Sequence, residues 1–244
     1  MSGHSKWSTI KRKKGAIDAK RGRIFTNIIR EIITSTRIGG KDISSNPRLR
    51  LAIDEAKANN MPKENIERAI KKGAGELEGE TYEEIIYEGY GPAGVALLIE
   101  TLTDNRNRTV SEVRHALSRH GGSLGESGCV MWMFNKKGVM GFDAASNTED
   151  AIMEIALEAG AEDVKTEDDE ILVYSDVKDF ESVKSAFEAK GIKEKFSEIS
   201  YIPQTNIELK GKESDQMIKL MDAIDEIEGI QNVYANFELQ EQQD

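Results

Sequence analysis

Eight basic side chains crowd the first 23 residues: Lys6, Lys11, Arg12, Lys13, Lys14, Lys20, Arg21 and Arg23, against a single acid, Asp18. Lysine and arginine at that density neutralise phosphates and release their counterions, a salt-sensitive and sequence-independent source of affinity for a polyanion. Trp7 and His4 stand among them, and both are residue types that stack on an exposed base. Ser2, Gly3, Ser5, Ser8, Gly15 and Gly22 leave the backbone adaptable, so this arm is read as a segment that orders on binding. A second group, Thr101-Leu102-Thr103-Asp104-Asn105-Arg106-Asn107-Arg108-Thr109, lies between an expected strand and an expected helix. Asp104 or Asn105 caps that helix. Arg106 and Arg108 are not needed as caps, and cations beside a helix N-terminus cost roughly a few tenths of a kcal/mol when exposed. Two readings stay open for them: a phosphate site made by a helix N-terminus and two arginines, or a salt-bridged surface loop.

Other chemistry is weakly supported. Gly89-Tyr90-Gly91-Pro92-Ala93-Gly94 matches G-x-G-x-x-G, but the dinucleotide fingerprint needs a helix next, and Val95-Ala96-Leu97-Leu98-Ile99 is strand-like. It is read as a glycine-rich connection between strands. His115 and His120 are five apart, off the spacing that puts two ligands on one helical face, and no metal site is expected. Cys129 lies in the apolar run Cys129-Val130-Met131-Trp132-Met133 and is read as a buried small hydrophobe in a strand over 129–134. A lone cysteine excludes an internal disulfide and fits a reducing compartment. No carboxylate pair stands out, so neither an enzyme nor a small-molecule cofactor is expected.

The elements that carry these groups follow from periodicity. The 244 residues are 38% hydrophobic and 32% charged, with a net charge of −11. That charge is divided: residues 1–72 hold 18 Lys and Arg against 7 Asp and Glu, and the remainder holds 15 against 37. Such a split points to a polyanion-binding region joined to an acidic body; the alternative is that the two parts pair with each other inside the fold or in a dimer. Ile24, Phe25, Ile28, Ile29, Ile32 and Ile33 recur at helical spacing and predict a helix over 23–37, ended by Gly39-Gly40. Asn46-Pro47 and Pro62 open two more helices. After a composition break at 73–84, strands, a helix and the 129–134 run follow. Residues 136–202 then read β-α-β-β-α-β, the ferredoxin-like pattern. Residues 205–240 read strand, helix and a last strand over 231–239, supplying the helix and strand that 80–134 lacks. The expected class is α+β with three domains: a small helical domain at 1–78, a discontinuous α/β domain at 79–134 plus 204–244, and an inserted ferredoxin-like domain at 135–203.

The segments GHSKW (3–7), IKRKKGAIDAKRGRIF (10–25), ANNMPKENIERAIKKGAG (58–75), TLTDNRNRT (101–109) and HALSRHGG (115–122) resemble those of the YebC/PmpR family across essentially the whole chain. That family includes mitochondrial translational activators of cytochrome oxidase. The resemblance implies a three-domain cytoplasmic protein of a kind commonly described as a DNA-binding transcriptional regulator. Other members are implicated in translation on the ribosome, including at proline-rich stretches. The expected partner is therefore nucleic acid, DNA or ribosomal RNA, with the ribosome as an associated partner and no membrane.

Overall fold

The isoleucine stripe makes one long helix. In the computed structural model, which describes residues 18–167 and 169–239 with side chains from Gly22 onward, it lies on α1 (Asp18–Gly39). Ile28, Ile32 and Ile33 are buried, and each fully buried isoleucine contributes about 1.5–3 kcal/mol. Gly40, at φ 84°, takes the left-handed turn after the helix, and its N–H donates to the Thr36 carbonyl at 2.8 Å. Buried Asn46 joins this end to α2 (Pro47–Ala58). Its Oδ1 accepts from Leu49 N as a cap, while its Nδ2 donates to the carbonyls of Ser35 and Gly40 at 2.9 and 2.8 Å. α3 (Lys63–Gly73) crosses α1 closely: a Cβ on Gly73 would sit 2.6 Å from the Ile33 carbonyl oxygen.

The fold is α+β, with seven α-helices and three sheets among the described residues. β1 (Glu83–Tyr90) and β2 (Ala96–Thr103) pair antiparallel from Glu83↔Thr103 to Tyr90↔Ala96. The glycine-rich segment closes this pair: Gly91 N donates to Val95 O at 2.7 Å around a short 3-10 turn, Pro92–Gly94, and no helix follows. α4 (Arg106–Arg119) comes next, then a two-residue β3 (Ser123–Leu124) paired with β1.

The C-terminal segment returns to this sheet. It supplies β8 (Ile207–Leu209), α7 (Lys212–Asp225), β9 (Ile230–Ala235) and β10 (Phe237–Leu239). The sheet order is β3-β1-β2-β9, and β8 and β10 form a separate parallel pair. Val113 and Leu117 of α4 and Met217, Leu220 and Ile224 of α7 pack into one core with Leu97 and Ile99. Of the described residues, 18–133 and 203–239 make one compact unit.

Residues Phe134–Ile202 make the other. β4 (Phe134–Asp143), α5 (Glu149–Glu158), β5 (Asp163–Glu167), β6 (Glu170–Ser175), α6 (Phe180–Ala189) and β7 (Phe196–Pro203) run β-α-β-β-α-β. The sheet order is β5-β6-β4-β7. Phe142 and Phe187 stack tilted in its interior at 4.4 Å between centroids.

Two expectations fail. The strand over 129–134 is absent: 126–130 is a turn, Met131–Met133 is a 3-10 turn, and β4 begins at Phe134. The cause is Glu88, a carboxylate 4% exposed on β1, which accepts the amides of Gly128, Val130 and Met131 at 2.5, 2.8 and 2.8 Å. Amides aimed at one carboxylate are not available to a ladder. Cys129 is consequently half-buried in a turn, and Trp132 is 68% exposed with its indole N–H donating to the Cys129 carbonyl. The last strand, expected unbroken, divides at Asn236. Its buried side-chain Oδ1 accepts from Ala96 N at 2.6 Å, and its backbone carbonyl accepts from Ile207 N at 2.8 Å. One residue thus turns the chain from the β2 edge to β8.

Candidate nucleic-acid interface

Of the sequence-selected residues, His4, Lys6, Trp7, Lys11, Arg12, Lys13 and Lys14 lie outside the described residues, as do the side chains of Lys20 and Arg21 in the first turn of α1. Arg23, Arg106 and Arg108 are described. Asn105 is the cap of α4: its Oδ1 accepts from Arg108 N at 3.1 Å, and its own N–H donates to Thr103 Oγ1. The sequence left Asp104 or Asn105 open, and this geometry decides for Asn105. Asp104 instead accepts from Arg108 Nη2 at 2.7 Å. Arg106 reaches Glu83 of β1 at 3.4 Å. Both arginines of the loop are therefore salt-bridged, and both keep exposed surface.

The arm's helix and this loop are far apart in sequence but meet in the fold. α1 lies along the turn between α7 and β9. Arg23 is 3.8 Å from Glu226, Asn27 Nδ2 donates to the Ile230 carbonyl at 2.7 Å, and Arg30 Nη2 donates to Glu228 Oε1 at 2.5 Å. The other oxygen of Glu228 lies 3.3 Å from Arg108 Nη2. Glu228 thus joins α1, which leads from the arm, to the N-terminus of α4. Arg30 is the arginine that sequence reasoning missed. Its position inside the apolar stripe of α1 hides its charge, and its partner is 198 residues away.

Internal pairing of the basic segment with the acidic body is real for part of the charge. Arg48 contacts Glu84 of the acidic body and also forks onto Glu31 of its own segment, and the Glu31 contact above all holds its guanidinium in the charged form. Arg23 and Arg30 pair with Glu226 and Glu228. Arg37, Lys57, Lys63, Arg68 and Lys71 stay exposed on the helical region, above its buried apolar faces. Exposed ion pairs contribute little to stability, about 0–1 kcal/mol each.

Elsewhere, His115, Arg119 and His120 line an open cleft of about 450 Å³ with Ala223 and Ile227. Among the described residues, no cluster of three or more His, Cys, Asp or Glu side chains could hold a metal, and no helix is long and apolar enough to cross a membrane. The Met217–Ile227 stripe is core apart from the half-buried Ile227.

Residues 5–76 match the family model described as the TACO1/YebC protein N-terminal domain, and residues 82–237 match the model of the TACO1/YebC second and third domain. A probable transcriptional regulatory protein of Trichlorobacter lovleyi is 59% identical over 239 residues, 98% of this chain and 96% of that protein. One from Desulforapulum autotrophicum is 58% identical over 98% of this chain and 97% of its own length. The crystal structure of a conserved hypothetical protein from Aquifex aeolicus has a similar fold, with a TM-score of 0.85 at 47% identity over 93% of this chain and 94% of that one.

Proposed function

This chain belongs to the TACO1/YebC family, and from that premise we propose that it is a nucleic-acid-binding regulator of gene expression, acting as a DNA-binding transcriptional regulator. The N-terminal arm makes most of the contact. The observation that carries this reading is the charge division, a basic first 72 residues on a chain of net charge −11. The name shared by the relatives, probable transcriptional regulatory protein, supports regulation in the broad sense. The meeting of α1 and the α4 N-terminus at Glu228 supports a surface that extends beyond the arm. No catalytic role is assigned.

A basic arm with a tryptophan also suits irregular RNA, so the test has two arms. In one, band shifts compare a candidate promoter with random DNA at a stated salt. In the other, the chain is co-sedimented with ribosomes in the presence of competitor DNA. A DNA specificity ratio well above one supports transcription; ribosome association that survives the competitor supports a ribosomal-RNA-binding translation factor instead. Trp7→Ala is expected to weaken binding by roughly 5- to 150-fold without a change in melting temperature, because stacking of one base is worth about 1–3 kcal/mol. Wild-type affinity in that variant would remove Trp7 from the contact.

A further inference from the structure

Arg30 is the arginine that is buried among the described residues, at 5% exposure. A buried guanidinium needs partners for its five N–H groups. Nη2 donates to Glu228, the guanidinium carbon lies 5.4 Å from the Tyr82 ring centroid, and Nε is buried with no partner. Arg108 repeats the pattern. Its Nη2 contacts Glu228 and Asp104, and its Nε is also buried without a partner. Two arginines from different helices therefore surround one carboxylate with more donors than it accepts. That carboxylate is itself 58% exposed, on the turn before Gly229.

We infer that Arg30 and Arg108 form a seat for a backbone phosphate of the nucleic acid, and that Glu228 fills this seat as an internal substitute until the phosphate displaces it. Two oxygens of a phosphodiester suit guanidinium forks as a carboxylate does, and arginine is the residue type for that geometry. The site also lies at the N-terminus of α4, where the helix favours an anion. Arg23, two turns before Arg30 on α1 and paired to Glu226 of the same turn, would lie between the seat and the arm. A strand bound by the arm thus has a defined next contact. The inference rests on the proposed nucleic-acid reading.

The test uses the full chain, a labelled 20-nucleotide single-stranded RNA and a duplex DNA of equal length, at one fixed salt. Glu228→Gln is compared with Glu226→Gln, which removes the same charge from the same turn outside the seat. Glu226→Gln is expected to raise affinity no more than about twofold, the general effect of one exposed charge. Glu228→Gln is expected to raise it roughly tenfold, because the competitor is gone. Adding Arg108→Gln to Glu228→Gln should cancel the gain; this arginine is partly exposed, so the double variant is expected to fold, as circular dichroism would verify. A Glu228→Gln gain no larger than that of Glu226→Gln overturns the seat while leaving nucleic-acid binding intact. A gain that survives Arg108→Gln also overturns it. Failure of the wild type to bind either nucleic acid overturns both the seat and the reading beneath it.

Discussion

Exchanging Lys11, Arg12, Lys13 and Lys14 for glutamine is expected to lower affinity for DNA or RNA by roughly 10³-fold at about 0.15 M salt. Each phosphate neutralised contributes about 0.9 to the slope of log K against log salt on duplex DNA and about 0.7 on a single strand. Four contacts therefore account for roughly 3–4 units of slope, and the variant should bind with a correspondingly flatter dependence. The exchange leaves every apolar residue of the sequence in place, so the melting temperature should stay within about 2 °C of wild type. A variant that keeps the wild-type slope would place the binding surface elsewhere. The prediction separates charge from shape, since Trp7 and the small residues of the arm are left in place.

Glu88→Ala has the largest expected effect on stability. Three backbone amides lose a charged acceptor, and hydrogen bonds to a charged group are worth about 1.5–3 kcal/mol each without being additive. A loss of about 3–5 kcal/mol, or roughly 6–20 °C in melting temperature for the unit that contains it, is the expected result of a thermal melt. The pH dependence has a definite sign. Burial pushes the Glu88 carboxyl up, but the amides of Gly128, Val130 and Met131 together outweigh it and hold the carboxyl below its ordinary range. A depressed carboxyl stabilises the fold above its unfolded value, about 4.3, and that contribution is lost as pH falls through the folded value. The stability gap between wild type and Glu88→Gln should be constant above about pH 5 and shrink in more acid solution. Equal stability of the two at pH 7, or a gap that does not begin to shrink as the pH falls below about 4, would contradict the role given to this carboxylate.

The helical region is legible in the sequence because its signals are local. The isoleucine spacing, Gly39-Gly40 and Asn46-Pro47 are each readable within a few residues, and α1 and α2 follow them. The Cys129–Met133 run is not legible. Its composition is that of a strand, and what overrides it is a carboxylate some 40 residues earlier. The division of the last strand is hidden for the same reason, since Asn236 acts on Ala96 across 140 residues. The arm is legible as chemistry because charge needs no fold to be counted. Arg106 and Arg108 are legible as residues out of place at a helix start, and Asp104 beside them is local, but Glu83 and Glu228, which also pair with them, come from other elements. Arg30 gives no sequence signal, being one cation in an apolar stripe.

The most direct test of nucleic-acid binding through the basic arm is the salt dependence of the wild-type chain. Affinity for a 20-base-pair duplex and for a single-stranded RNA of equal length would be measured from about 50 to 200 mM salt. With eight arm cations available, the predicted slope of log K against log salt on the duplex lies between about −4 and −7, with a shallower slope on the single strand. A slope near zero on both, or no binding to either at 50 mM, would contradict the proposed function.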